Sequence, residues 1–327
     1  MENIKVPLKD KIEQKLVWLS PRLRECKSIK KWKCSYLKKV YQISPGENYA
    51  ERILMSAEEG NEIIQSLISA GGGYCVGKIG DVELFNVLDY SIKRKIGRLN
   101  KWRLNNNAGF FTQSNNEEEY LRFCNIYIDA LKSMDLFGVW FMPGEDYIIN
   151  RYSSRAEIAK LRCLEPYFYE NPWSVALKGK TVLVVSPFDA LIKSQYNKHS
   201  ILFDNEKVLP DFELKTFRAV QTIGKMKDGR FESWFEALQY MKNEISKIDF
   251  DVALVGCGAY SLPLASYIKS LGRGAIHTGG TTQILFGIKG KRWDEMPDIN
   301  KFYNDFWVRP EHNADIEKAT TATEDYW

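Results

Sequence analysis

Short apolar runs alternate with stretches of helical period along most of the chain. Residues 74–79 form one such run, ending at Gly80-Asp81, after which Leu84, Val87, Leu88 and Ile92 recur at helical spacing. Strand, tight turn and helix are therefore expected in that order. Leu121, Cys124, Ile128 and Leu131 repeat the helical spacing within residues 117–133, and the apolar run 136–141 predicts a second strand. In the second half, residues 181–185 and 252–255 are β-branched runs bounded by turn residues, which reads as buried parallel strands. Trp234, Ala237, Leu238, Met241 and Ile245 predict a helix between them; residues 262–271 predict another, stopped by Gly272. A short strand at 275–277 leads to Gly279-Gly280, and Gly71-Gly72-Gly73 reads as a turn before the first strand. Alternation of this kind predicts an α/β fold, a mostly parallel, Rossmann-like sheet flanked by helices. Ligands in such sheets bind beyond the carboxyl ends of the strands, so the residues after each strand carry the functional interest.

Charge divides the chain unevenly. Residues 1–40 hold twelve Lys/Arg against Glu2, Asp10, Glu13 and Glu25, whereas the whole chain has a net charge of only +4. A basic helical extension over residues 1–45 and an α/β domain over 46–327 follow from this split. Trp18 and Trp32 interleave the extension, which reads either as a solvated helical face or as an arm making peripheral contact with an anionic membrane. Nucleic acid is not expected as a partner, because the basic excess does not continue into the body. The start of the chain lacks a signal peptide's apolar stretch, and no run of about 18 apolar residues occurs, which points to the cytoplasm. Six scattered cysteines form no CxxC pair and read as reduced, mostly buried thiols.

Four groups of residues could carry chemistry. Gly256-Cys257-Gly258 turns a strand into a helix, where backbone N–H groups can approach a phosphate; the third glycine of a dinucleotide fingerprint is replaced by Ser261, and no acidic residue ends the next strand. Asp81 and Glu83 supply hard oxygen donors suited to Mg²⁺ or Mn²⁺, provided the backbone lets them point the same way; on a regular helix they diverge by roughly 200°. Asp81 as a helix N-cap is the structural alternative. Lys289, Lys291 and Arg292 could neutralise phosphate, with a solvated loop as the structural alternative, and His277 at a strand end could act as a general base, although a lone histidine so placed is more often structural. The absence of HExxH, GxSxG and GxxxxGK[ST] removes zinc peptidases, α/β-hydrolases and P-loop kinases.

Lys78-Ile79-Gly80-Asp81-Val82-Glu83 resembles the RFGDGE-type segment of GT-D fold glycosyltransferases of bacterial polysaccharide biosynthesis. Lys78 stands where Arg is usual and Val82 where Gly is usual. The order of Asn107-Ala108-Gly109-Phe110-Phe111, Val184-Val185-Ser186-Pro187-Phe188, Val255-Gly256-Cys257-Gly258-Ala259-Tyr260, Ile276-His277-Thr278-Gly279-Gly280, the 286–293 segment, Trp307-Val308-Arg309-Pro310 and Tyr326-Trp327 is also similar to that family over roughly residues 70–327. The resemblance implies a GT-D-like catalytic domain with Mn²⁺ or Mg²⁺ on Asp81 and Glu83. A nucleoside diphosphate sugar would be the donor, contacted by Lys78, Gly80, Ser186, Gly256, Gly258, Tyr260, Ser261, Lys289, Lys291 and Arg292. The acceptor would be a cell-surface glycan or its lipid-linked precursor, handled at the inner face of the membrane. A different nucleotide-dependent enzyme, such as a methyltransferase or oxidoreductase, and a non-catalytic glycan-assembly protein are the alternatives.

Overall fold

The computed structural model describes residues 43–114, 116–223 and 228–310. The basic arm, with its expected helix and membrane contact, lies outside the described residues. The described chain opens with a small hairpin, β1 (Asn48–Tyr49) and β2 (Arg52–Ile53), followed by helix α1 (Ala57–Ala70). A capping box starts α1: Glu59 N–H donates to Ser56 Oγ at 3.0 Å and Ser56 N–H to Glu59 Oε2 at 2.7 Å. Gly71, with φ of 72°, ends it and delivers the chain to the sheet.

Seven strands make that sheet: β3 (Tyr74–Gly77), β4 (Leu136–Val139), β5 (Glu157–Lys160), β6 (Thr181–Ser186), β7 (Glu213–Arg218), β8 (Val252–Val255) and β9 (Gly274–His277). Their order is β5-β4-β3-β9-β8-β6-β7, and every pairing is parallel. The expected parallel α/β architecture is therefore present. Each expected strand forms, although the 136–141 run leaves the sheet at Val139. Strands β5 and β7 were not foreseen.

Helices α2 (Asp81–Lys93), α3 (Arg98–Asn107), α4 (Glu117–Lys132), α5 (Glu145–Tyr152), α7 (Trp234–Ser246) and α8 (Ser261–Ser270) bury apolar faces in one core, together with Cys75, Leu183 and Val185 of the strands. The opposite core holds Tyr74, Val76, Val182 and Val184 against α1, α6 (Asp189–Tyr196) and α9 (Thr281–Leu285). Successive strand residues thus feed opposite faces, as a period of two requires. Both faces being covered explains why β3, β4, β6, β8 and β9 are almost wholly apolar.

From β3 the chain steps outward to β4 and β5, then crosses to build the other half, returning through β8 to β9 beside β3. The order reverses between β3 and β9. At such a switch point the loops leaving adjacent strands splay apart and open a crevice at the carboxyl edge. Cys75, Cys124, Cys163 and Cys257 are buried free thiols, as expected for the cysteines that are described. Among the described residues no helix is long and apolar enough to cross a membrane.

Candidate functional site

A cavity of about 610 Å³ occupies this crevice, well inside the range of about 300–1,000 Å³ usual for small-molecule sites. Its lining joins residues that follow all seven strands of the main sheet: Asp81 after β3, Trp140 after β4, Glu165 after β5, Pro187 after β6, Thr222 after β7, Gly258 after β8 and Thr278 after β9.

The carboxylate pair lies in the first turn of α2. Gly80 is the N-cap and no side chain caps it, so Asp81 is the first helical residue and not the N-cap. On a helix Asp81 and Glu83 do not share a face. They nevertheless line one cavity, because side chains tilt toward a helix N-terminus and here that end points into the crevice. Glu83 folds back over Gly80, so that a Cβ on residue 80 would strike Glu83 Oε2. Asp81 Oδ2 accepts from Arg103 Nη2 of α3 at 2.5 Å. Burial raises the Glu83 carboxyl pKa; its own backbone N–H, Lys78 and Arg103 oppose the rise and neighbouring Asp81 adds to it.

Lys78 fills the space beside the pair, its Nζ 4.4 Å from the centre of the Trp140 ring. Burial lowers the Lys78 pKa; Glu83 opposes this most, and Arg292 adds to it. Behind Trp140 stands Glu145, fully buried at the start of α5. Its Oε2 accepts the backbone N–H of Trp140 at 2.9 Å and of Met142 at 3.2 Å. Phe141 between them has a φ of 57°, so Glu145 pins a strained turn that presents Trp140 to the cavity. Burial pushes the Glu145 carboxyl up to about 8 in spite of those donors.

The glycine turn behaves largely as its sequence suggests. A Cβ on Gly256 would lie 2.6 Å from Gly279 O and strike the Thr282 hydroxyl, so only glycine lets β8 close on the loop after β9. Gly258, with φ of 60°, faces open space and presents backbone to the cavity. Tyr127 O–H donates to Ala259 O at 2.6 Å and fixes the turn from α4. Tyr260 lines the cavity while its ring stacks on Trp234, the centroids 5.0 Å apart.

The remaining expected residues are not all brought to the cavity. Ser261 is fully buried, and its Oγ accepts the Cys257 N–H at 2.8 Å; this hydroxyl closes the turn and consumes one of the amides a phosphate would need. Ser186 lines the cavity, but its Oγ accepts the Phe188 N–H at 3.2 Å and shapes the turn after β6. Of the cationic segment only Arg292 reaches the lining. Lys289 instead places its Nζ 5.3 Å from the Tyr303 ring centre, and Lys291 is exposed at the start of a helical turn (Lys291–Asp294). His277 is buried at the end of β9 with Nδ1 3.2 Å from Val255 O; burial first, and Lys78 second, hold its pKa down to about 3. An imidazole that weakly basic is poorly suited to take a proton at neutral pH.

Sequence reasoning missed Trp140, Glu145, Arg103, Arg162 and Glu165. Glu165 follows β5 through a 3-10 turn (Leu161–Leu164), its side chain 18% exposed, with Arg162 Nε 3.6 Å from Oε2. Burial raises its carboxyl to about 7; Arg162, the Tyr167 hydroxyl and Arg292 oppose the rise, and Asp298 adds to it.

Fold and cavity together define a Rossmann-like α/β protein with carboxylates and cations in one crevice. Its structure is similar to "Selenomethionine substituted structure of domain of unknown function 1792 (DUF1792)", at a TM-score of 0.42 and 13% identity, covering 83% of this chain and 95% of that one. It is similar also to a structure described as "The highly conserved domain of unknown function 1792 has a distinct glycosyltransferase fold", at a TM-score of 0.42 and 12% identity, covering 88% of this chain and 98% of that one. No protein-family model matches the sequence, and no curated protein matches it.

Proposed function

We propose that the chain is a glycosyltransferase that moves a sugar from a nucleoside diphosphate sugar to a glycan or lipid-linked acceptor, with a divalent cation on Asp81 and Glu83. The observation that carries this reading is the meeting of Asp81, Glu83, Lys78 and Arg292 in one cavity at the switch point of a parallel sheet. The donor set suits a hard cation shared with phosphates: Mg²⁺-type ions commonly take only one or two protein carboxylates and complete their shell with substrate oxygens and water. Among the described residues no cluster of three or more His, Cys, Asp or Glu able to hold a metal occurs, so the substrate would have to supply the remaining ligands.

The cation, when bound, would neutralise charge on the leaving diphosphate. Arg103 holds Asp81 in place from α3. Lys78 and Arg292 add positive charge where the phosphates would lie, and the exposed Gly258 turn offers backbone N–H groups to the nucleotide. Trp140 supplies a flat apolar wall fixed by Glu145. In a methyltransferase or oxidoreductase a carboxylate at a strand end would instead accept ribose hydroxyls, and binding would not depend on a divalent cation.

Calorimetric titration with UDP and with GDP, in Mn²⁺ and in EDTA, tests the reading. Binding of at least one diphosphate that tightens tenfold or more with Mn²⁺ is expected. Equal affinity in both buffers, or preferential binding of NAD or S-adenosylmethionine, would contradict it.

A further inference from the structure

The geometry points to Glu165 as the base that takes the proton from the acceptor hydroxyl, an assignment that rests on the glycosyl-transfer reading. The acceptor oxygen attacks the anomeric carbon, forming the new C–O bond. The bond from that carbon to the diphosphate oxygen breaks, its electron pair leaving with the diphosphate. The acceptor's proton passes to a Glu165 carboxylate oxygen.

Six side chains that line the cavity carry a carboxylate or an imidazole: Asp81, Glu83, Glu165, Glu295, Asp298 and His277. Five are unsuited to the task. Asp81 is tied to Arg103, and Glu83 is folded back over the start of α2 beside Lys78. The Nδ1 of His277 faces Val255 O, and its ring is enclosed between the ends of β3 and β9. Glu295 and Asp298 are exposed, and Asp298 accepts from Arg162 Nη2 at 3.1 Å.

Glu165 differs in placement and surroundings. It follows β5, two strands outward from β3, whose end leads to Asp81 and Glu83. With β4 between β5 and β3, the cavity lining extends across the end of β4 from the carboxylate pair to Glu165. Arg292 lies within electrostatic reach of both Lys78 and Glu165, which ties the two ends of the cavity together. The groups facing Glu165 are Arg162, the Tyr167 hydroxyl, Arg292 and Asp298, with Cys163 and Tyr169 also within electrostatic reach. Partial burial raises the Glu165 pKa to about 7, close to the optimum for a base working at neutral pH. Activity should then rise with pH as Glu165 ionises.

The test is steady-state sugar release from UDP-glucose, UDP-galactose, GDP-mannose and dTDP-glucose, with water as acceptor, by the full-length wild type and by Glu165→Gln and Glu165→Asp. For the donor turned over fastest, Glu165→Gln should lower kcat by about 100-fold or more, with donor KM and Mn²⁺-dependent diphosphate binding within twofold of wild type. The acidic limb of the wild-type pH profile, near 7, should vanish in Glu165→Gln, and Glu165→Asp should retain part of the rate. A kcat within threefold of wild type with the same acidic limb would overturn the assignment. Loss of diphosphate binding in parallel with kcat would overturn it too, making Glu165 part of the donor site. Wild type that binds neither UDP nor GDP and releases no sugar from any of the four donors would instead remove glycosyl transfer itself, and the base with it. Diphosphate binding without release from any of the four would remove the base alone.

Discussion

Glu145 is the residue whose chemistry is most exposed to a simple test. Its carboxyl is raised to about 8 by burial, whereas in an unfolded chain it titrates near 4.3. Between those values the folded state keeps a proton that the unfolded state has released. The associated stability is fully present below the unfolded pKa and is lost as pH rises through about 8. Glu145→Gln keeps an oxygen for the Trp140 and Met142 N–H groups and cannot ionise. Thermal melts from pH 5 to 9 should show wild-type Tm falling more steeply than that of the variant; parallel curves would mean Glu145 ionises freely in the fold. Nothing in the sequence marked this residue, since Gly144-Glu145 reads as an ordinary turn and helix start. Asp81 and Glu83 were legible because their types and their place after an apolar run had chemical meaning. The basic segment misled for a plain reason: composition gives the sign of charge but not the direction of a side chain, and of Lys289, Lys291 and Arg292 only the last turns inward.

At the scale of elements, the glycines after β8 separate two roles that look alike in sequence. Gly256 is a packing glycine, with Gly279 O 2.6 Å from where a Cβ would sit, while Gly258 has φ of 60° and open space around it. Gly256→Ala must push a strand end away from its neighbouring loop and should cost about 1–3 kcal/mol, typical of overpacking. Gly258→Ala meets no neighbour and should cost about 1–2 kcal/mol from its left-handed backbone alone. Nucleotide binding should suffer in Gly256→Ala, because β8 and the β9 loop form two walls of the cavity. Urea unfolding of both variants should show the larger loss in Gly256→Ala, since only Gly256 has neighbours in the way of a Cβ; a loss in Gly258→Ala equal to it or greater would show that backbone conformation, and not close packing, dominates at this turn. Strands β3, β6, β8 and β9 were readable because burial on both faces makes them continuous apolar runs. Strand β7 lies at an edge with the mixed sequence ELKTFR and exposed ends, and β5, EIAK, is a short edge strand with an exposed first residue. Neither leaves an apolar signature, so Arg162 and Glu165 beyond β5 went unnoticed with it.

For the whole molecule, strand order does what no local motif can. Residues from distant parts of the chain, Lys78, Glu165, Gly258 and Arg292 among them, meet only because β9 returns to pair with β3 and closes a sheet covered on both faces. The alternation of strands and helices made the architecture legible; the order of strands, and so the membership of the site, depended on long-range pairing that periodicity does not encode. The central claim is that this assembled cavity binds a nucleoside diphosphate through a divalent cation on Asp81 and Glu83. Asp81→Asn and Glu83→Gln keep shape and remove charge, and neither side chain caps α2, whose N-cap is Gly80. Titration of UDP and GDP with and without Mn²⁺, on wild type and both variants, should show metal-enhanced binding in wild type and its loss in each variant, with metal-free Tm within a few degrees of wild type. Variants that bind diphosphate with the metal dependence of wild type would contradict the account.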